Sequence, residues 1–220
     1  MKNDYILGDA FEELEKLSDD SVDLLFTSLP DLSQTPFGET KDVGNYQNLQ
    51  KTALEEFARV TKDDGFVVTC QTDRKVNGEI LPNHITYHNI MMYFGFKLKD
   101  YKIIVRNSIE LKNMYTFNFQ HMNIFTKSGT IKRSGEWLRD ILVYPAKKID
   151  KQHIWDESFV ELVLTYLSKE GDFVVDPFAG HGIVPYVCKK MNRDYLGIEI
   201  VPEIYNKNFE LFESGNRFIG

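Results

Sequence analysis

The sequence predicts an α/β protein whose mostly parallel sheet is covered by helices on both faces. Short apolar runs rich in β-branched and aromatic residues alternate with segments whose apolar residues recur every three to four positions. Hydrophobic residues make up 42% and charged residues 27% of the 220 residues, which excludes a disordered or fibrous chain. No run approaches the roughly 20 apolar residues of a membrane span, and we therefore expect no membrane association.

Seven segments have the composition typical of strands, namely residues 5–7, 22–28, 65–70, 96–105, 121–127, 173–176 and 195–200. Helical patterns lie between several of them, at residues 10–17, 54–60 and 155–167. Because strands and helices alternate, we predict one seven-stranded, largely parallel sheet. The predicted loops, which fall at strand ends where open α/β sheets place their sites, are residues 32–50, 71–83, 109–119 and 128–151.

The chain is expected to form one domain with an uneven charge distribution. Its length suffices for one core with a small inserted element. The net charge of −7 excludes a wholly basic nucleic-acid binder. Residues 101–153 nevertheless carry ten lysine and arginine residues against four acidic ones, a net charge of +6. This segment is either an ordinary solvated loop or a nucleic-acid contact.

Neither the cysteines nor the histidines show the spacing of metal ligands. Cys70 and Cys188 lie in apolar contexts, which predicts buried thiols. His84 and His88 are four positions apart but lack the glutamate of a zinc-binding helix, so we predict no metal site. The first ten residues lack the apolar core of a secretory signal, and a cytoplasmic location is expected.

The most informative segment is residues 173–182, Phe-Val-Val-Asp-Pro-Phe-Ala-Gly-His-Gly. An apolar strand ends at Asp176 and turns through Gly180 and Gly182, which suits close approach of a nucleotide-like ligand. The third glycine of the dinucleotide fingerprint and the Gly-Lys-Ser/Thr of a P-loop are both missing. Asp176 is suited to pair with an ammonium group, and Glu199, which ends the next strand, with two ribose hydroxyls. An amino-acid nucleoside has both groups.

These residues resemble the S-adenosylmethionine (SAM) site of the amino-group DNA methyltransferases. Near the N-terminus, Gly8-Asp9, a helix and the strand ending at Ser28 resemble the stretch that leads into the family's catalytic Ser/Asp-Pro-Pro-aromatic tetrapeptide. The catalytic motif precedes the cofactor motif, which resembles the circularly permuted β class. The resemblance implies a Rossmann-like seven-stranded methyltransferase sheet. It also implies SAM as cofactor, bound by Asp9, Asp176, Pro177, Phe178, Ala179, Gly180, Gly182 and Glu199.

The tetrapeptide itself departs from the family pattern. It reads Ser28-Leu29-Pro30-Asp31, with leucine in place of the first proline and aspartate in place of the aromatic residue. The resemblance implies that the Ser28 hydroxyl and the Leu29 carbonyl accept hydrogen bonds from an exocyclic amine, which favours a pyramidal, reactive nitrogen. Asp31 cannot stack on a flipped base, but it can accept a hydrogen bond from one.

The remaining substrate contacts are predicted from aromatic and basic residues in the loops. Stacking on the base is expected to pass to Phe37 or Tyr46. Arg74 and Lys75 are candidates for phosphate contacts, with a solvated turn as an equal alternative. In the basic segment the candidate phosphate contacts are Lys132, Arg133, Arg139, Lys147 and Lys148. The single domain then divides into a catalytic half, a small target-recognition segment and a cofactor half, at residues 1–106, 107–151 and 152–220.

The sequence therefore predicts a SAM-dependent methyltransferase that acts on N4 of cytosine or N6 of adenine in DNA. The leading serine of the tetrapeptide resembles the cytosine-N4 members of the family slightly more, although both kinds of member occur in the class. RNA base methylation is the alternative reaction, because the recognition segment is short and the stacking residue is replaced. A non-catalytic SAM-binding subunit of a methyltransferase complex is the alternative from another class. Dimerisation is one way to extend so short a recognition segment, and a homodimer is among our expectations.

Overall fold

The computed structural model describes residues 2–107, 117–131, 139–145, 147–149 and 152–214. Its strands are β1 (Asp4–Leu7), β2 (Val22–Thr27), β3 (Thr61–Gln71), β4 (Arg74–Val76), β5 (Glu79–Leu81), β6 (Lys97–Asn107), β7 (Phe119–Thr126), β8 (Ile141–Pro145), β9 (Lys147–Ile149), β10 (Gln152–Ile154), β11 (Phe173–Asp176) and β12 (Asp194–Glu199). Its helices are α1 (Ala10–Glu15), α2 (Val43–Val60), α3 (Asn83–Tyr93), α4 (Glu157–Leu167), α5 (Ile183–Lys190) and α6 (Pro202–Ser214), with a short 3-10 helix at Leu32–Gln34.

Within the described residues, eight strands form one mixed sheet in the order β1-β12-β11-β2-β3-β7-β6-β8. The five strands from β1 to β3 in this order are parallel. β7 runs antiparallel to both of its neighbours, and β8 is parallel to β6. Two small antiparallel pairs, β4 with β5 and β9 with β10, lie outside this sheet. The predicted α/β class with a largely parallel sheet is confirmed.

The predicted number of seven strands is wrong, because β8 adds an eighth within the predicted loop 128–151. Its residues Ile141 and Val143 are exposed while Leu142 between them is buried. An edge strand with apolar residues on both faces does not alternate between apolar and polar positions. It therefore lacks the two-residue periodicity by which a half-buried strand is predicted from sequence. Its partner in the sheet, β6, is distant in sequence.

Two other predicted loops contain regular structure. In the predicted loop 32–50, α2 already begins at Val43, where the Asp42 carboxylate accepts a hydrogen bond from the Asn45 amide at 3.0 Å. The first turns of α2 are polar and therefore lack apolar periodicity. In the predicted loop 71–83, β4 and β5 form a hairpin whose turn, Asn77-Gly78, has positive φ at both residues.

Both faces of the sheet are covered, and β2 shows how the sequence achieves this. Phe26 lies in a buried cluster with residues of α4, α5 and α6, whereas Leu25 packs on the opposite face with residues of α1, α2 and α3. Successive strand residues point to opposite faces, so a strand buried on both sides is a continuous apolar run. Cys70 and Cys188 are buried free thiols, as predicted.

The strand order brings the two candidate motifs together. β1 and β2 are consecutive in the chain, yet β12 and β11 lie between them in the sheet. Because the five strands from β1 to β3 are parallel, the residues that follow all of them meet at one edge of the sheet. None of the described helices has the length and apolar composition that a membrane crossing requires.

Candidate active site

The turn after β11 is held in its shape by main-chain and tyrosine contacts. Gly180 and Gly182 have φ values of +53° and +76°, and Gly182 is the residue that precedes α5. Tyr5 of β1 donates a hydrogen bond from its hydroxyl to the Gly180 carbonyl at 2.6 Å. The Ala179 amide donates to the Ile198 carbonyl of β12 at 2.8 Å. Glycine at both positions permits the left-handed backbone that this turn requires.

Asp176 is the most deeply placed carboxylate of the site. It ends β11, is 3% exposed, and accepts hydrogen bonds from Thr27 Oγ1 at 2.7 Å and from the Phe178 amide at 3.2 Å. Burial raises the pKa of Asp176 to about 7, and the nearby Glu199 carboxylate adds to this rise, against the lowering effect of the two hydrogen bonds. A cation bound beside Asp176 would favour its ionised form.

Glu199 ends β12 at the same edge. Its side chain is buried, and Oε1 accepts a hydrogen bond from the Val201 amide at 2.7 Å. Burial raises the pKa of Glu199, while backbone hydrogen bonds from Val201, Gly180 and Ile200 oppose the rise. The carboxylate is therefore fixed in orientation against the glycine turn.

Asp9 completes the acidic group, because it follows β1, which pairs with β12. Its carboxylate accepts a hydrogen bond from the Phe11 amide at 2.8 Å and caps α1. The Gly8 amide donates to the Glu199 carbonyl at 2.9 Å, which joins the two strand ends. We call Asp9, residues 176–182 and Glu199 the cofactor edge. The other predicted cofactor residues also lie there: Pro177 and Ala179 are buried, and Phe178 packs against Phe11 and Phe57.

The tetrapeptide Ser28–Asp31 follows β2 and therefore lies beside the cofactor edge. Thr27 links the two, since its hydroxyl donates to Asp176 and its main chain continues into Ser28. We call residues 28–42, between β2 and α2, the catalytic loop. Leu29 is buried at its base.

Side chains from elsewhere in the chain hold the tetrapeptide. The side-chain amide of Gln71, at the end of β3, lies 3.1 Å from Ser28 Oγ whichever way the amide is turned, and one orientation also donates to the Leu29 carbonyl at 3.1 Å. The Tyr46 hydroxyl donates to the Pro30 carbonyl at 3.2 Å. These contacts orient the two oxygens that are predicted to accept from the amine.

Asp31 is part of an ion pair rather than a solvated carboxylate. Arg74 Nη2 lies 2.8 Å from Asp31 Oδ2 and donates to Ser33 Oγ at 2.9 Å. The Asp31 amide in turn donates to Gln34 Oε1 at 2.8 Å, which closes the start of the 3-10 helix. Arg74, predicted as a phosphate contact, is thus placed against the catalytic loop, while the neighbouring Lys75 is exposed.

Of the two aromatic candidates for stacking, Tyr46 is excluded by its position. It is fully buried, and burial raises its pKa to about 12. Phe37 is half-buried and packs against the cluster of Leu32, Tyr46 and Leu81. The prediction that Tyr46 stacks on a base is therefore wrong, because its ring fills the interior behind the catalytic loop and only its hydroxyl reaches the tetrapeptide.

The basic segment is described only in part. Arg139 is exposed just before β8. Lys147 and Lys148 lie in β9, where the backbone is described but the side chains are not, and Lys132 and Arg133 lie outside the described residues. Their contact with nucleic acid stays a prediction.

Sequence reasoning missed three residues of the site: Tyr5, Thr27 and Gln71. Thr27 and Gln71 could have been found from the sequence, because each is a polar residue that ends an apolar strand at the edge where sites form. The prediction of no metal site depends on spacing along the chain alone, whereas the fold brings Asp73, His84 and His121 together.

Comparisons with known proteins agree with this geometry. A family model described as DNA methylase matches residues 110–210. The type II methyltransferase M.MwoI of Methanothermobacter wolfeii is 26% identical over 100% of this chain, which corresponds to 34% of that protein. The orphan methyltransferase M.BamHII of Bacillus amyloliquefaciens is 28% identical, and the match covers 86% of this chain and 88% of that protein. The chain thus spans about a third of the first relative and most of the second.

Solved structures share the fold at lower identity. The PvuII DNA methyltransferase, which is specific for cytosine N4, superposes with a TM-score of 0.82 at 17% identity, covering 98% of this chain and 87% of that one. The DNA modification methylase TTHA0409 of Thermus thermophilus, in complex with S-adenosyl-L-methionine, has a TM-score of 0.78 at 21% identity, covering 98% and 95% of the two chains. Both superpositions cover 98% of this chain, so they show a shared fold.

Proposed function

We propose that the chain is an amino-group DNA methyltransferase and that it transfers the methyl group of SAM to an exocyclic amine of a DNA base at the edge described above. The observation that carries this proposal is the hydrogen bond from Thr27 to Asp176. It joins the cofactor edge to the tetrapeptide through adjacent residues, so a methyl donor and an acceptor amine bound at the two motifs would lie next to each other.

The shape of the cofactor edge and its carboxylate acceptors support SAM as the ligand. A Cβ atom placed on Gly180 meets no atom within 4 Å, so the turn presents open backbone rather than a packed surface. We assign the ammonium group to Asp176 and the ribose hydroxyls to Glu199, whose hydrogen bonds to the turn fix its orientation. We place Asp9 near the adenine. When bound, SAM supplies an electrophilic methyl group on a sulfonium.

The catalytic loop supplies hydrogen-bond acceptors for the amine. The lone pair of an exocyclic amine is delocalised into the base and must be localised on nitrogen before it can attack. Ser28 Oγ, which contacts Gln71, and the Leu29 carbonyl, which one orientation of the Gln71 amide also reaches, would accept hydrogen bonds from the amine N–H groups and so favour a pyramidal nitrogen. Asp31, held by Arg74, provides a third acceptor facing the base.

Several finer assignments extend this proposal. We favour cytosine N4 over adenine N6 because of the leading serine, and we assign the permuted class, which the position of β11 and β12 between β1 and β2 supports. Phe37 stays the candidate for stacking. A homodimer, a cytoplasmic location and the three-part division of the domain stay predictions from the sequence.

One observation favours the non-catalytic alternative. The position that would stack on the base is the ion-paired Asp31, and the nearby Tyr46 is buried. A SAM-binding relative without catalysis would tolerate both features. Transfer assays distinguish these functions.

The test is methyl transfer from tritiated SAM to duplex DNA, single-stranded DNA and bulk RNA, followed by mass spectrometry of the nucleosides. We expect N4-methylcytosine in DNA. Ser28→Ala should lower kcat about tenfold or more, because it removes an acceptor oriented at the amine. Ser18→Ala changes an exposed serine before β2, at the opposite end of the strand, and should leave kcat unchanged. Transfer to RNA alone supports the RNA alternative, and SAM binding without transfer to any substrate supports the non-catalytic one.

A further inference from the structure

Among the described residues, three side chains of metal-ligand type come together outside the cofactor edge and the catalytic loop. Asp73 lies between β3 and β4, His84 near the start of α3, and His121 in β7. The three are 11 and 37 positions apart in the chain, so their proximity arises from the fold alone. Spacing along the sequence therefore gives no indication of it.

The ligand atoms of these three residues are already close. Asp73 Oδ1 lies 2.8 Å from His84 Nδ1, and Asp73 Oδ2 lies 3.4 Å from His121 Nε2. All three ligand atoms lie within 4.8 Å of one another. Ligands of a tetrahedral zinc ion at about 2.0–2.1 Å lie roughly 3.3 Å apart, so the two distances from Asp73 are close to the separation of ligands around one ion.

Burial and neighbouring groups separate this cluster from an ordinary surface group. Asp73 and His121 are 6% and 8% exposed. The Tyr101 hydroxyl is hydrogen-bonded to Nδ1 of His121, which leaves Nε2 as the atom that faces Asp73. Asn123 Nδ2 donates to the His84 carbonyl at 3.1 Å. For His121, Tyr101 is the kind of partner that metal-binding histidines commonly have on the second ring nitrogen, because it fixes the tautomer and the ring orientation.

We propose that Asp73, His84 and His121 form a binding site for one divalent transition-metal ion of the zinc class. Two imidazoles and one carboxylate are a common ligand set for such ions, and they leave one coordination position for water. The ion would tie the chain after β3 to α3 and β7. The site does not depend on the proposed methyl transfer.

Binding requires one side-chain movement. The rings of His84 and His121 are stacked, with centroids 3.7 Å apart and planes inclined by 11°. An imidazole binds a metal close to its own plane, and two nearly parallel rings do not share an ion. We assign the turn about Cβ–Cγ to His84, which is more exposed than His121.

The experiment titrates the untagged full chain with Zn²⁺ and with Co²⁺ after dialysis against a chelator. Calorimetry and elemental analysis should give one ion per chain, and Co²⁺ should show the visible absorption of a low-coordinate site. Asp73→Asn, His84→Asn and His121→Asn should each weaken binding more than about 100-fold, and Tyr101→Phe about tenfold. His88→Asn, a control one turn further along α3, should bind as the wild type does.

Two results would overturn the proposal. The first is a wild-type chain that binds neither ion with a stoichiometry of one. The second is equal loss of affinity in His84→Asn and His88→Asn. NMR of the histidine ring protons keeps the test decisive if a variant unfolds, because Zn²⁺ must shift the signals of His84 and His121 in the wild type and leave those of His88 in place.

Discussion

The cofactor edge and the catalytic loop lie side by side but are held in different ways. The glycine turn of the cofactor edge is fixed by main-chain hydrogen bonds, such as that from Ala179 to Ile198, by its own left-handed residues and by one side chain, that of Tyr5. The catalytic loop is fixed by side chains from α2, β3 and β4, namely Tyr46, Gln71 and Arg74. The cofactor edge is thus held largely by the main chain of neighbouring strands and the tetrapeptide by side chains that are remote in sequence, so we expect substitutions to affect the two regions separately.

The largest expected effect is the loss of SAM affinity when a residue of the cofactor edge is changed. Asp176→Asn keeps the size of the side chain and its acceptor oxygen but removes the charge that we assign to the ammonium group of SAM. Removing one partner of a buried charge pair costs about 2–5 kcal/mol, so the Kd for SAM should rise about 30-fold or more. Calorimetry with SAM measures it. Asp194→Asn, at the amino end of β12, is the control, and equal affinities in both variants would contradict the assignment.

The next largest effect is a fall in turnover when Asp31 of the catalytic loop is changed. Asp31→Asn should lower kcat roughly ten- to a hundredfold while the Kd for SAM stays unchanged, because the charge acts on the reacting base and not on the cofactor. Asp31→Tyr restores the aromatic residue of the family pattern. Steady-state methylation of duplex DNA measures both variants. If Asp31→Tyr gains activity and Asp31→Asn equals the wild type, the carboxylate has no role in turnover.

The pH dependence of the free energy of unfolding tests the burial of Asp176 in the cofactor edge. The pKa of Asp176 is raised by burial to about 7, whereas an unfolded aspartate titrates near 4. Between these values the folded chain holds a proton that the unfolded chain has lost, so this group's contribution to the free energy of unfolding falls as pH rises through 7. Between pH 6 and pH 8, the wild type should lose about 1 kcal/mol more than Asp176→Asn. Urea denaturation at both pH values measures this, and identical profiles would contradict the burial argument.

The smallest effect tests the remote support of the catalytic loop. Tyr46→Phe removes only the hydroxyl that donates to the Pro30 carbonyl and should lower stability by about 1 kcal/mol. We expect a several-fold fall in kcat with no change in SAM affinity. Tyr93→Phe, on an exposed residue at the end of α3, is the control for both measurements. A loss of SAM affinity in Tyr46→Phe would show that the two regions are not supported separately.

The cofactor edge and the catalytic loop also differ in how much of each can be predicted from the sequence. The cofactor edge is predictable because Asp176, Gly180 and Gly182 are contiguous and Glu199 ends the next strand, so their proximity follows from strand topology. The side chains that contact the tetrapeptide cannot be predicted in this way. Gln71 and Arg74 reach it only because β3 and the β4–β5 hairpin pack beside it. The sequence also does not show which aromatic candidate is free to stack on a base. Tyr46 lies in the polar first turns of α2, so its complete burial becomes evident only from the packing of the fold.

The position of β11 and β12 between β1 and β2 has a consequence for synthesis on the ribosome. β1 and β2 leave the exit tunnel before β11 and β12, and the strands that hydrogen-bond to their facing edges are made about 190 and 150 residues later, respectively. Two unpaired edges must therefore be protected from wrong partners while the second half of the chain is translated, and contacts of such long sequence separation form slowly. We expect a chaperone that shields exposed strands to raise the yield of this protein more than that of a chain whose sheet neighbours are also sequence neighbours.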